Sequence, residues 1–298
     1  MSAPPVVYPS DLTDAEWALL APLIPGVKPG GRPRKRPMRA ILNGIFYLLR
    51  GGCAWRMLPR CFPPWSTVHH YCRQWRVDGT WARIHAILRE RERVRQGRAP
   101  QPTAAAIDSQ SVKTTSVGGV RGDDGAKKLR GRQRHPSVDT LGLALTATVH
   151  AADLQDRAAV PQVLEHTSQD FPQLRKLWAD QGYTGGGKAW IEAELGWTVE
   201  IVRHTPHARG EWRPIGDLND LATLRFEWVR RPKAPKQFRG LLPRRWVAER
   251  TFSWLAQSRR LAKEYERLCA TSEAYIYAAM SRIMLRRLAR ARPFSHSF

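Results

Sequence analysis

Apolar residues recur at helical spacing through the first hundred positions and at strand spacing in much of the rest. Thr13, Asp14, Ala15 and Glu16 make a capping box that opens an amphipathic helix through Ile24, with Trp17, Leu20, Leu23 and Ile24 on one face. A second helix, over about 37–49, turns Ile41, Ile45, Leu48 and Leu49 inward and stops at Gly51 and Gly52. Ser66 is placed to cap a third over 67–77, and a fourth over 81–96 aligns Trp81, Ile84, Ile87 and Leu88. The breaker-rich stretch 98–102 predicts a linker. Beyond it the pattern predicts a short strand at 103–108 and two paired strands within 137–151, bent at Gly142. A helix over 156–167 follows, with Val160, Val163 and Leu164 inward, then a strand at 174–179, a helix at 187–195 and a strand at 198–204. Residues 205–243 read as a basic, loop-rich insertion, and 244–290 as helix almost throughout.

The predicted fold class is therefore α+β with two domains. An all-α, helix-turn-helix-like domain occupies 8–97, and an α/β domain occupies 103–291, with the loop-rich insertion before its last helices. Charge adds a partner: 49 basic against 26 acidic residues leave a net charge of +23, which favours a polyanion, first of all nucleic acid. In the loop before the second helix, Arg32, Arg34, Lys35 and Arg36 are candidate phosphate contacts, since a basic arm needs no fixed geometry. On the third helix, His69, His70, Arg73 and Arg76 are candidates for contacts in a DNA groove. No apolar stretch approaches the roughly 20 residues that span a bilayer, and no secretory signal is visible, which predicts a cytoplasmic, nucleoid-associated protein without a membrane partner. The four cysteines form no C-x2-C pair, so reduced thiols are expected rather than a zinc module. A phosphate-binding G-x4-G-K-S/T loop is absent.

Acidic residues gain meaning from their place in this pattern. Asp108 ends the first strand (AAAID), Asp180 ends a later one (KLWAD), and Glu249 lies in the helix RRWVAERTFSWL. Ligands of an open α/β sheet gather at strand carboxyl ends, so two aspartates there can meet while a helix delivers a third carboxylate. Three hard oxygen donors suit Mg2+ or Mn2+, and two such ions suit phosphodiester chemistry. Among other acids, Asp139 reads as a turn or cap residue, Asp123 and Asp124 sit in a Gly-rich basic loop, and Asp156 reads as an N-cap. Trp178 and Trp254 are expected in the core.

The element order resembles the ribonuclease-H fold. The phrases AIDSQSVK, GRQRHPSVDTLGLALTATVHAADLQDR, WADQGYTG and RRWVAERTFSWLAQSRRLAKEYE, in that order after a helical N-terminal region, resemble the DDE transposases of bacterial insertion sequences. The resemblance covers nearly the whole chain. It implies catalytic, metal-binding roles for Asp108, Asp180 and Glu249, two Mg2+ or Mn2+ ions, and double-stranded transposon-end and target DNA as partners. It also implies binding of terminal inverted repeats, cleavage to free 3′-hydroxyl ends, transesterification into target DNA, and a homodimer on DNA. Many relatives place a tyrosine seven residues before the glutamate, an arginine four before and a lysine seven after; here Arg245 matches, while Leu242 and Ala256 fill the other two places. Arg245 and Lys113 are thus further candidate DNA contacts. Two other readings fit the same residues: a metal-dependent nuclease that cuts without joining, and a non-catalytic DNA-binding regulator.

Overall fold

The computed structural model describes residues 7–26, 34–202, 211–215, 224–229 and 246–290. Arg32 and Arg245 lie outside these residues. Helix α1 (Asp14–Leu20) opens on the expected capping box: Thr13 Oγ1 accepts from Glu16 N at 3.2 Å, and Glu16 Oε2 accepts from Thr13 N at 2.8 Å. Helices α2 (Met38–Gly51), α3 (Trp65–Val77) and α4 (Thr80–Arg95) follow. Gly52 ends α2 in the left-handed conformation at φ 74°, the usual glycine cap. Ser66 is not the cap of α3. That helix begins one residue earlier, after Pro64, whose fixed φ sets the turn without a side-chain bond.

The sheet is built from β1 (Ala104–Ile107), β2 (Gln110–Lys113), β3 (Gly122–Asp124), β4 (Leu129–Asp139), β5 (Ala144–Ala151), β6 (Lys176–Ala179) and β7 (Thr198–Ile201). Its main path runs β5, β4, β1, β6, β7. The β5–β4 and β4–β1 pairs are antiparallel, and β1–β6 and β6–β7 are parallel. β2 continues β1 along β4 without a change of register: Ala105 faces Asp139 and Ile107 faces Ser137, then Gln110 faces Arg134 and Lys113 faces Gly131. Carried through the gap, that register sets Asp108 opposite Pro136, which has no N–H to give to the ladder. A single strand is thus interrupted at Asp108.

Alternation along the strands divides the core. Ala105, Ile107, Leu177, Ala179 and Val199 pack against Ala159, Val160, Val163 and Leu164 of α5 (Asp156–Asp170). On the opposite face Ala106, Val138 and Trp178 receive Val247 and Ala248 of α7 (Trp246–Ala256). A third cluster joins the helical segment to the far end of the chain: Ile41, Ile45, Trp75, Trp81 and Leu88 pack with Ala278, Met280 and Leu285 of α8 (Cys269–Leu288), and with Ala147 and Val149 of β5. Each fully buried Leu, Ile or Val contributes roughly 1.5–3 kcal/mol to this packing. The same junction carries charge, since Arg282 of α8 pairs with Glu16 at 2.6 Å and donates to Asp11 O at 2.8 Å.

Several expectations are corrected. His135 is a buried residue of β4, and the Gly-rich basic stretch around Asp123 and Asp124 holds β3 and the start of β4 rather than a loop. The arginines that made it read as a loop, Arg130, Arg132 and Arg134, alternate at strand period, and the last two are buried. The segment 187–195 is a short helix, α6 (Gly186–Trp190), continued by a π turn over Ile191–Leu195. Within the insertion, β8 (Glu211–Ile215) and β9 (Arg225–Val229) form an antiparallel pair. The C-terminal region is two helices, because residues 257–268 leave α7, pass a single 3-10 turn at Arg259–Leu261, and run beside β2 before α8. Trp178 is buried, and Trp254 is half-buried against the helical cluster.

Candidate active site

Asp108 and Asp180 each follow the last residue of a strand, and those strands, β1 and β6, are parallel neighbours. Their register pairs Ala104 with Lys176 and Ala106 with Trp178, so two residues further on it sets Asp108 beside Asp180. Neighbouring strands run about 4.8 Å apart. Alternation adds the face: Asp108 shares parity with Ala106, and Asp180 with Trp178, both of which face α7. Each carboxylate also settles its own loop, with Asp108 Oδ1 accepting from Ser109 N at 2.8 Å and Asp180 Oδ1 from Gly182 N at 2.9 Å. The second bond caps the 3-10 turn Gln181–Tyr183.

Glu249 stands on α7, directly after the two residues that seat the helix on the sheet, and is solvent-exposed. The helix is pinned at the β4–β5 turn. Thr251 Oγ1 donates to Gly142 O at 2.7 Å, and Arg250 Nη2 donates to Leu141 O at 2.8 Å. Gly142, at φ 74°, leaves space that a Cβ would take from Arg250 and Thr251, 3.0 and 3.1 Å away. Arg250 also lies over Trp246 and Trp254, at 4.4 and 4.7 Å from the ring centres. Among the described residues no three His, Cys, Asp or Glu side chains stand close enough together to hold a metal ion. Two strand-end aspartates are thus neighbours in the β1–β6 register, and Glu249 is exposed on the helix that packs on that face of the sheet.

A buried polar group lies on the other face, towards α5. Asp156 Oδ1 accepts from Gln133 Nε2 at 2.7 Å and from His135 Nε2 at 3.0 Å, and His135 Nδ1 meets His150 Nε2 at 2.8 Å. Burial works against the Asp156 carboxylate, but the hydrogen bond and charge of His135 outweigh it and hold the pKa below the usual carboxylate value. Burial lowers the pKa of His150. N-capping does not account for Asp156, since Gln155 is the cap residue of α5 and its side chain makes no capping bond. Asp139 is a turn residue as expected: it is fully buried, paired with Arg93, and accepts from Leu141 N and Leu143 N.

The predicted DNA contacts fall in different places. His69, His70 and Arg73 are exposed on α3, and Arg76 is half-buried. His69, Arg73 and Arg76 line a cleft of about 650 Å³ together with Trp55, Arg267 and Leu268. Partial burial, then Arg73, lowers the pKa of His69, which favours a neutral imidazole there. Lys35 and Arg36 are exposed, whereas Arg34 is half-buried and donates to Pro25 O and Gly26 O at 2.6 and 2.7 Å, which ties its own loop. Lys113 is exposed at the far end of β2, about 16 Å of strand from Asp108.

Sequence reasoning missed Glu264. It is 2% exposed, lies 3.1 Å from Arg134 and 3.6 Å from Arg132, and accepts from Ser272 Oγ at 2.6 Å. Its backbone bonds β2, with Glu264 N donating to Lys113 O at 2.9 Å. The arginines at strand period were the available signal.

Comparison with known proteins supplies the class. Residues 99–284 match the family described as "Transposase DDE domain", and residues 12–85 match "Putative transposase of IS4/5 family". A Burkholderia cepacia protein, "Insertion element IS402 uncharacterized 16.2 kDa protein", is 33% identical over 113 residues, which are 36% of this chain and 76% of that relative. No solved structure matches. The protein is a transposase enzyme. The chain belongs to the DDE transposase family of insertion sequences. Among the described residues no helix is long and apolar enough to cross a membrane.

Proposed function

We propose that this transposase binds the terminal inverted repeats of its insertion sequence, cleaves to free 3′-hydroxyl ends, and joins those ends to target DNA by transesterification. The observation that carries the reading is the register of β1 and β6, which sets Asp108 beside Asp180 on the face where α7 brings Glu249. The strand order β5, β4, β1, β6, β7, antiparallel then parallel, supports a ribonuclease-H-like catalytic domain over 103–291, joined through 98–102 to a helical DNA-binding domain over 8–97.

The donor set is three carboxylates, which fits Mg2+ or Mn2+ and disfavours softer ions. Asp108 and Asp180 would be the paired ligands, and Glu249, which does not stand close enough to complete a metal site in this arrangement, would supply the third carboxylate from α7. These residues would hold divalent ions, which would supply activation of a water or 3′-hydroxyl and stabilisation of the leaving oxygen. The chain's own residues orient the DNA. Arg245 precedes Glu249 by four residues in the sequence and is suited to a phosphate beside the carboxylates. His69, His70, Arg73 and Arg76 on α3 meet the repeat, and Arg32, Arg34, Lys35, Arg36 and Lys113 meet the backbone, with Arg34 limited by its bonds to Pro25 and Gly26. Transposition couples two ends, so a homodimer on DNA is the expected assembly.

The test is cleavage of a duplex carrying the terminal repeats that flank the reading frame. Asp108→Ala and Asp180→Ala should abolish cleavage while leaving gel-shift affinity for the same duplex within a few-fold. Cleavage at the parent's rate in either variant overturns the reading. A pre-cut end incubated with target plasmid should give joined products, and their absence alongside efficient cleavage would make the protein a nuclease only.

A further inference from the structure

We propose that Asp156 is a positioning residue for the strand-end aspartates: with Gln133 and His135 it forms a buried bracket on the α5 face that fixes the backbone carrying both Asp108 and Asp180. The inference rests on the reading of those two aspartates as the metal-binding pair. Two chains of contact start from the one carboxylate. On the first, Asp156 Oδ1 accepts from Gln133 Nε2 at 2.7 Å, and the same nitrogen donates to Ser109 Oγ at 3.0 Å. Ser109 N in turn donates to Asp108 Oδ1. On the second, Asp156 Oδ2 lies 2.9 Å from where a Cβ on Gly182 would stand, and that position is 3.1 Å from Asp180 Oδ1. Gly182 N holds that same Asp180 oxygen.

Hydrogen accounting fixes the rest of the bracket. His150 Nδ1 lies 2.7 Å from Ala151 O, a pure acceptor, so it carries a proton. Burial lowers the pKa of His150, and its Nε2 lies 2.8 Å from His135 Nδ1. His135 Nε2 lies 3.0 Å from Asp156 Oδ1, so the imidazole bridges Asp156 and His150. The Gln133 amide is fixed as well. Its nitrogen must face the carboxylate, and its Oε1 is left buried without a hydrogen-bond partner. Nothing in the bracket serves α5 itself, because the Asp156 bonds run to β4 rather than to the helix's own amides.

Asp156→Asn and Gly182→Ala in the full chain test the proposal. Gly182→Ala removes no hydrogen bond and needs no unusual backbone angle, but it drives a methyl against the Asp156 oxygen, whose partner atom is pinned twice. Three readouts apply: single-turnover cleavage of the repeat-ended duplex, gel-shift affinity for that duplex, and Mn2+ binding followed by water-proton relaxation on the DNA-free protein. Both variants should cleave about 10- to 100-fold more slowly and bind Mn2+ more weakly by a similar factor, with DNA affinity unchanged. Parent-like cleavage and Mn2+ affinity in a folded Gly182→Ala protein overturn the bracket, even if Asp156→Asn fails to fold. Asp108→Ala and Asp180→Ala, run alongside, separate the two claims. If they are silent while both bracket variants match the parent, only the bracket falls; if they cleave like the parent, the metal-pair reading falls first.

Discussion

The two faces of the central sheet are held by different physics. Towards α5 the contact is mainly apolar, Ala, Val, Leu and Ile against the same, with a buried hydroxyl cluster of Ser137, Thr146 and Thr167 and a polar bracket at the end nearest the strand-end aspartates. On the opposite face the apolar patch under α7 is small, and beside the apolar contact of β5 with α8 two buried arginines of β4 are tied to Glu264. An apolar face tolerates small shifts, whereas a buried ion group fails outright when one member is lost. Helix α7 thus sits on a face whose integrity depends on charge pairing further along the chain.

The contrast can be broken most severely at Glu264. Glu264→Ala leaves Arg132 and Arg134 buried beside an emptied site and should cost about 3–5 kcal/mol in a urea melt, and slow cleavage as well. On the other face Leu164→Ala should cost about 3 kcal/mol while DNA affinity stays unchanged, a plain cavity effect. If Leu164→Ala proved the more damaging of the two, the contrast between the faces would be wrong. Asp156→Asn should cost on the order of 1 kcal/mol at pH 7. Because the Asp156 pKa is depressed in the folded protein, its contribution is present above the unfolded carboxylate value of about 3.9 and fades as pH falls below it. The gap between parent and variant should therefore narrow in acid; a gap that widens would contradict the assigned charge. The smallest effect belongs to Lys188→Ala on α6, whose exposed pair with Glu192, one helical turn on, should be worth about 0.3 kcal/mol and disappear in high salt.

Much of the fold was legible because single segments decide it. The capping box at Thr13, the stripe Ile41, Ile45, Leu48 and Leu49, and the glycine bend at Gly142 are local signals, and each has its expected counterpart. Hidden features depend on partners distant in sequence. Arg132 and Arg134 read as loop charges until Glu264, some 130 positions later, explains why a strand can bury them. His135 and Asp156 have no motif between them; only the hairpin of β4 and β5 and the start of α5 bring them together. Within the site, the placement of Asp108 and Asp180 at strand ends could be read directly, since a short apolar run terminated by an acid is a local pattern. Their shared register could not. The composition break at 98–102 was visible too, but nothing in it signals that the helices before it and α8 far beyond it share one apolar cluster.

That shared cluster has a consequence in time. During synthesis α1 to α4 emerge first, and α8, which supplies Ala278, Met280 and Leu285 to their core, emerges much later. At about 5–20 residues per second, the stretch from Arg95 to Cys269 occupies the ribosome for roughly 10–35 s. Through that interval the helical layer has its basic surface but lacks part of its apolar support. The helical layer stays incomplete until the final helix arrives, and it and the sheet that shares its cluster are completed together.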